Sequence, residues 1–376
     1  MTSSEYDQFR PPRPPRKRNG RKGSGARKGG AGDLMVPQVQ VEHLDSRGYY
    51  GHPVVKPPPW EWPVGAYLFL GGLAGGSGLL ALGGQVTGRT ELRRNARLGG
   101  LTAAGLGAVA LMADLGRPER FLHMLRTFKV TSPMSVGSWI LVGYSGLIGV
   151  AATSEVDRMV GERLPLGPLR PALRALAAPS GLGAGLLGAP LAAYTAVLLG
   201  DTAMPTWHAM HRDLPFVFVS SASLAAGGLA MVTTGLDEAG PARRLAIIGV
   251  IGDVAATRLM EQRMDRVAAE PLHHGTPGKL MRWAERLAIA GGIGALVSAR
   301  CARSTTERDR PSRWSSRAVS VVSGVMLMAA SACTRFGIFE AGLESARDPR
   351  YTIEPQRRRL EARRAAGIVD DSITGQ

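Results

Sequence analysis

The sequence predicts an all-α integral membrane protein with about eight spanning helices in two four-helix bundles, and three observations predict it. Apolar segments recur at roughly 63–87, 95–113, 136–153, 181–200, 214–235, 244–257, 284–299 and 317–336, against the roughly 17–25 residues that a spanning helix needs. The charge is segregated: residues 63–86 and 214–234 contain no Lys, Arg, Asp or Glu, a composition that no solvated surface helix tolerates. Glycine is abundant, with 49 residues, and Gly71, Gly72, Gly75 and Gly76 form two overlapping small-xxx-small pairs of the kind that lets membrane helices approach closely. The averages conceal all of this, since 20% charged residues and a mean hydropathy of −0.01 describe tails, loops and spans together.

Residues 1–33 form a basic arm, Arg10-Pro-Pro-Arg-Pro-Pro-Arg-Lys-Arg18 and onward, too polar to bury a core and expected to be disordered. No apolar stretch follows within it, so a secretory signal peptide is not expected. A net charge of +16 raises nucleic acid as a partner, but a polybasic tail beside a span meets anionic headgroups, and membrane lipid is the favoured partner. Residues 34–59 are an extramembrane lead-in, 60–340 the polytopic membrane domain and 341–376 a basic tail. Loops 154–180 and 258–283 are long enough for one short surface helix each, and Pro165, Pro168 and Pro171 argue against a continuous helix in the first.

Both loop sets carry arginine, so the tails decide orientation. An even number of spans puts both termini on one side, and the arm at 10–28 and Arg357, Arg358, Arg359, Arg363 and Arg364 place that side in the cytoplasm by the positive-inside rule. On the terminal face lie Glu61 and Tyr67 at the start of the first span and Asp114 and Arg117 at the end of the second. Tyr194 and Asp201 close the fourth span, Ser220 and Ser221 lie early in the fifth, Asp253 late in the sixth and Arg335 late in the eighth. Ionisable groups at membrane depth are costly and mark ion or substrate paths by default. The opposite face carries Arg89, Glu91, Arg93, Arg163, Arg174, Arg243, Arg300, Arg303 and Arg310, read as solvated or lipid-facing loop charges.

Each of these residues also has a structural reading. Trp60, Trp62 and Trp207 suit an interfacial aromatic belt as well as a site wall. Asp114 and Asp201 suit helix ends, Arg117 suits a pair with Asp114 three positions before it, and Glu61 suits the positive end of the first helix dipole. Tyr194 is hardest to explain structurally, because its hydroxyl lies within a span. Two cysteines, Cys301 and Cys333, cannot supply the four thiolates of an iron–sulfur cluster. All seven histidines fall in tails or loops, which argues against a bis-His haem between the spans, and no zinc spacing is present.

Trp60-Glu61-Trp62-Pro63 leading to Tyr67-Leu-Phe-Leu-Gly-Gly-Leu-Ala-Gly-Gly76, Asp114-Leu-Gly-Arg-Pro-Glu-Arg-Phe121, Tyr194-Thr with Leu198-Leu-Gly-Asp201, and Arg335 followed by Asp348-Pro-Arg-Tyr351 resemble the NrfD/polysulfide reductase membrane-subunit family over about residues 57–365. The resemblance implies a quinone-reactive anchor without haem. A ferredoxin-like iron–sulfur subunit would dock on its membrane face and relay electrons between quinone, menaquinone or ubiquinone, and a molybdopterin catalytic subunit acting on formate, polysulfide or another small molecule. It places the quinone pocket at the start of the first helix and at a tyrosine of the fourth, here the Glu61–Tyr67 region and Tyr194. Some relatives carry a histidine near the start of the first helix, where this chain offers Glu61, Trp62 and Tyr67. On this expectation Tyr67 and Tyr194 hold the headgroup, with Gly71, Gly72, Arg117 and Arg335 around it, and Glu61, Asp114, Asp201 and Asp253 exchange protons. The competing class is a secondary transporter or a passive anchor; the halves 63–200 and 214–336 show no convincing internal sequence match.

Overall fold

The computed structural model describes residues 53–115, 123, 125, 126, 128–304 and 310–367, without the side chains of 301–304 and 310–313. The basic arm, most of the lead-in segment and Arg117 lie outside the described residues. All regular structure among the described residues is helical. In chain order the helices are α1 (Trp62–Val86), α2 (Thr90–Asp114), α3 (Pro133–Met159), α4 (Leu169–Gly200), α5 (Pro205–Ala209), α6 (Leu214–Thr233), α7 (Gly240–Arg263), α8 (Arg266–Ala269), α9 (Gly275–Ser304), α10 (Arg310–Arg347) and α11 (Arg350–Ala365). A 3₁₀ turn, Glu270–Leu272, links α8 to α9.

Six of these are long and apolar enough to cross a membrane: α1, α2, α3, α4, α6 and the stretch Trp314–Arg347 of α10. Helices α7 and α9, where the sequence predicts two short spans, have 24 and 30 residues, but charged residues occupy both ends of each. Prolines sit at the starts of α1, α3, α6 and α7, where the missing N–H is an orphan donor in any case. Ser132 adds a side-chain cap to α3 by accepting from the Ser135 amide at 3.4 Å.

Three boundaries depart well beyond the usual error: α9 begins at Gly275 against 284, α10 ends at Arg347 against 336, and the start of α4 departs furthest. Helix α4 begins at Leu169, twelve residues before the expected segment, with Pro171 in its first turn and Pro179 and Pro190 inside it. Pro171 is tolerated because the first turn has no intrahelical acceptor for its N–H to lose. Of the three prolines that argued against a helix, only Pro165 and Pro168 lie before it.

Helix α1 is the centre of the packing and touches α2, α4, α6 and α10. Helix α3 packs on α4 and α2. The same order recurs later in the chain: α6 touches α7 and α10, while α9 packs on α10 and α7. Both sets close on bare backbone. A methyl group at Gly188 of α4 would lie 2.5 Å from the Gly75 carbonyl of α1, and one at Gly228 of α6 would lie 2.5 Å from the Gly324 carbonyl of α10. Glycine is required there because any Cβ would part the helices.

Candidate functional site

Tyr67 lies a turn and a half into α1 and is 2% exposed. Its ring meets that of Tyr194, from the last two turns of α4, edge to face at a centroid distance of 6.5 Å and 60°. Small residues make room for the pair. Gly107 of α2 lies against the Tyr67 ring, at 3.4 Å from where its Cβ would be, and Gly137 of α3 lies under the Tyr194 ring. Gly71 borders Tyr67 from its own helix. The Tyr67 hydroxyl is buried and has no hydrogen-bond partner among the described residues, an expensive arrangement for a polar group away from water.

Arg335 approaches from α10 and is fully buried. Its guanidinium donates to the Leu68 carbonyl at 3.0 Å and the Phe218 carbonyl at 2.5 Å, and reaches Thr195 Oγ1 and Ser221 Oγ at 3.4 Å each. It lies 3.9 Å over the Phe218 ring, and a Cβ at Gly72 would come within 2.6 Å of its Nη2. Arg335 therefore joins α1, α4, α6 and α10 at one level, touching the residues that directly follow Tyr67 and Tyr194. Asp253 of α7 is its charged neighbour, 4% exposed and with Oδ1 unpartnered among the described residues.

The remaining expected site residues separate. The Glu61 amide donates to Asp114 Oδ1 at 3.2 Å, tying the start of α1 to the end of α2; the Glu61 side chain is exposed and makes no capping bond. Asp201 is exposed at the C-cap of α4. The three tryptophans divide as well. Trp62 is exposed, whereas Trp207 is fully buried, donates to the Ile338 carbonyl at 2.8 Å and stacks between Trp60 and Phe339.

On the opposite face the expectation of solvated loop charges holds for Arg163, Arg174 and Arg300, which are exposed, and fails for Arg243, which is buried, while Arg89, Glu91 and Arg93 are half-buried. Arg97 and Glu155 are 3% and 4% exposed and pair at 2.8 Å. Arg93 reaches the same carboxylate at 2.8 Å, and Arg97 also donates to Gln85 at 2.6 Å. Asp157 is buried with Arg170, Arg243 donates to the Leu236 carbonyl, and Glu91 accepts from the Gly235 amide at 3.0 Å. These charges stitch α2, α3 and the α6–α7 connection together because α3 continues to Met159, carrying Glu155 and Asp157 inward. The missed signal was Arg97, which lies inside the expected second span.

Two cavities open near the terminal ends of the helices. One of about 210 Å³ lies among α7, α9 and α10 and is lined by Asp253, Glu261, His273, Glu285 and Thr334. A wider cleft of about 490 Å³ between α5, α8 and α11 is lined by His208, His211, Arg263, Tyr351, Arg358 and Arg359. Burial, with the Glu270 and Asp348 carboxylates, raises the Tyr351 phenol above its ordinary range. Among the described residues no group of His, Cys, Asp and Glu is placed to hold a metal ion.

Residues 53–251, just over half of the chain, match the family described as Polysulphide reductase, NrfD. The C subunit of the polysulfide reductase of Wolinella succinogenes is 26% identical over 172 residues, a match covering 43% of this chain and 54% of that protein. The match thus spans about half the length of that relative. The helices that carry Tyr67 and Tyr194, and the α7 stretch up to two residues before Asp253, fall within the family match, and the chain is a multi-pass membrane protein belonging to the NrfD, polysulphide reductase, family.

Proposed function

We propose that this chain is the quinone-reactive membrane subunit of a multi-subunit oxidoreductase, with eight spans in two four-helix bundles once α7 and α9 are counted. The observation that carries this is the Tyr67–Tyr194 pair, in which a buried phenol has no partner of its own. A quinone carbonyl is an acceptor that would satisfy it, and Gly71, Gly107 and Gly137 keep the surroundings small. Tyr67 and Tyr194 orient the headgroup entering from lipid between α1 and α4. The closing carboxylates Glu61, Asp114 and Asp201 lie toward water, with Asp253 deeper, as proton-exchanging groups. Quinone supplies the two-electron chemistry; the chain supplies binding, orientation and protons.

Electrons arrive from, or leave to, a ferredoxin-like iron–sulfur subunit docked on the same face, which connects to a molybdopterin catalytic subunit. The cleft with Arg263, Arg358 and Arg359 and the wholly unburied basic helix α11 suit an acidic docking surface. On the positive-inside rule both termini and that partner lie in the cytoplasm, and the membrane is the inner one. Transporters also use repeated helical sets, and the recurring contact order of α1–α4 in α6, α7, α9 and α10 is the observation that favours that second reading.

Purification of the tagged chain in mild detergent, with mass spectrometry and iron quantification, separates the two. Co-purifying iron–sulfur and molybdopterin subunits are the expected result, and a solitary iron-free species would transfer the weight to a transporter. In the intact complex Tyr194→Phe and Tyr67→Phe are expected to weaken quinone turnover, and unchanged turnover in both would remove the pair from the site.

A further inference from the structure

The cavity of about 210 Å³ has no part in the binding of quinone described above, and its wall contains an anomaly. Asp253 and Thr334 border it although they are 4% and 1% exposed, and Asp253 Oδ1 is left without a partner. A carboxyl group in such a place is costly and is retained where it serves a path. At the outer end the wall carries Arg258, Glu261, His273, Arg282 and Glu285. Arg258 and Glu285 pair at 2.7 Å with side-chain exposures of 64% and 47%, so this end is open at the surface of the chain and carries the charges that an aqueous mouth requires. At the inner end Asp253 faces the Arg335 charge, and Arg335 bonds to the residues directly after Tyr67 and Tyr194. The cavity therefore leads to Asp253, Asp253 lies within the electrostatic reach of Arg335, and Arg335 bonds to Leu68 and Thr195, the residues directly after Tyr67 and Tyr194.

We propose that this cavity is the proton entry of the quinone site, with Asp253 as the carboxyl group that exchanges protons with water at its mouth and Arg335 as the fixed charge that couples Asp253 to the aromatic pair. The proposal rests on the quinone reading. Reduction of one quinone to quinol takes two electrons from the docked cluster and two protons from water, and the reverse reaction returns both. Asp253 carries one proton at a time: an O–H bond forms with a proton from water and breaks as that proton moves inward, and nothing is oxidised or reduced at the carboxyl group. Arg335 stays protonated throughout and is a positioning residue. The charged group that acts on Asp253 is Arg335 from α10, and the titratable and charged groups that share the cavity wall with it are Arg258 and Glu261 from α7, His273 from the connection before α9, and Arg282 and Glu285 from α9. By contrast the Glu61–Asp114 contact borders neither cavity.

The test uses the intact complex turning over a short-chain quinone analogue. Asp253→Asn is expected to lower kcat by about 100-fold, near the low end of what a positioned acid–base group contributes, and to leave KM for the quinone within about twofold. Asp253→Glu restores most of the loss. Arg335→Lys keeps the charge and is expected to retain most of kcat, where Arg335→Gln repeats the loss seen with Asp253→Asn. Because a buried change can disturb packing, a second variant probes the route directly. In a background carrying Cys301→Ser and Cys333→Ser, Thr257→Cys in the cavity wall should react with a membrane-impermeant methanethiosulfonate and then lose most of the turnover that the same variant shows unmodified. A thiol that does not react, or whose modification leaves turnover intact, overturns the route, as does Asp253→Asn with an unchanged kcat. A complex that reduces no quinone overturns the function first and this route with it, whereas quinone turnover indifferent to both Asp253 and Thr257 overturns the route alone.

Discussion

Around Tyr67 the helices α1 to α4 meet through aromatic rings laid on glycine, while Arg335 of α10 ties α1, α4 and α6 together through a buried charge with Asp253 of α7 as its charged neighbour, although the sets α1–α4 and α6, α7, α9 and α10 share one order of contacts. The difference is visible at matching places. Gly107 of α2 receives the Tyr67 ring of α1, and Gly252 of α7 receives the Ser220 hydroxyl of α6. The serine is far smaller than the tyrosine, and the next residue of α7 is Asp253, facing Arg335. One arrangement of helices thus supports a flat, largely apolar niche in the first set and an ionisable cavity in the second. Fold alone does not choose between them; the side chains grafted on it do.

The comparison breaks most sharply at Arg335. Arg335→Met strips four neighbouring acceptors of a donor and removes the positive charge near Asp253, so unfolding in detergent should show a loss of about 3–5 kcal/mol, since each buried acceptor left unsatisfied costs about 1–3 kcal/mol. If Asp253→Asn recovers part of that loss in the double variant, the two residues act as a unit. Additive losses would mean that Arg335 acts only through its hydrogen bonds to Leu68 and Phe218.

The next effect tests the shared scaffold. Gly188→Ala and Gly228→Ala each drive a methyl group against a carbonyl of the neighbouring helix, and each should cost about 1–3 kcal/mol in the same unfolding measurement. Similar values support equivalent α1–α4 and α6–α10 contacts. A large cost at Gly228 with none at Gly188 would show that only the second set depends on close approach.

The helical class and the aromatic half of the candidate site were legible because apolar runs and intramembrane tyrosines are local signals. Tyr67 and Tyr194, 127 positions apart, meet because α1 and α4 pack as neighbours, as the resemblance implied. The ionic half was legible only as isolated residues: Asp253 and Arg335 were expected on the same face, but nothing in their spacing says that they face one another. The far-face cluster was misread for a different reason. Arg93 and Glu155 sit just outside the expected apolar runs, whose windows stop before the helices do, and Arg97 is a single charge inside the second run that does not break its pattern. Helix α4 hid its first twelve residues in the same way, because Pro171 reads as a breaker until its first-turn position is known.

The smallest effect separates a structural tyrosine from one kept for a ligand. The Tyr144 hydroxyl, also buried in the first set, donates to the Ala74 carbonyl at 2.5 Å, so Tyr144→Phe should lower stability by about 1 kcal/mol, the net worth of an ordinary buried hydrogen bond. The Tyr67 hydroxyl has no such partner, and removing an orphaned polar atom relieves a desolvation cost. Tyr67→Phe should therefore leave stability unchanged or raise it by less than about 1 kcal/mol, while lowering quinone turnover in the complex. A group that costs stability and supports activity is the expected trade at a functional site. If Tyr67→Phe instead destabilised the protein as much as Tyr144→Phe, its hydroxyl would be bonded within the chain, and the argument for an acceptor supplied by the quinone would lose its main support.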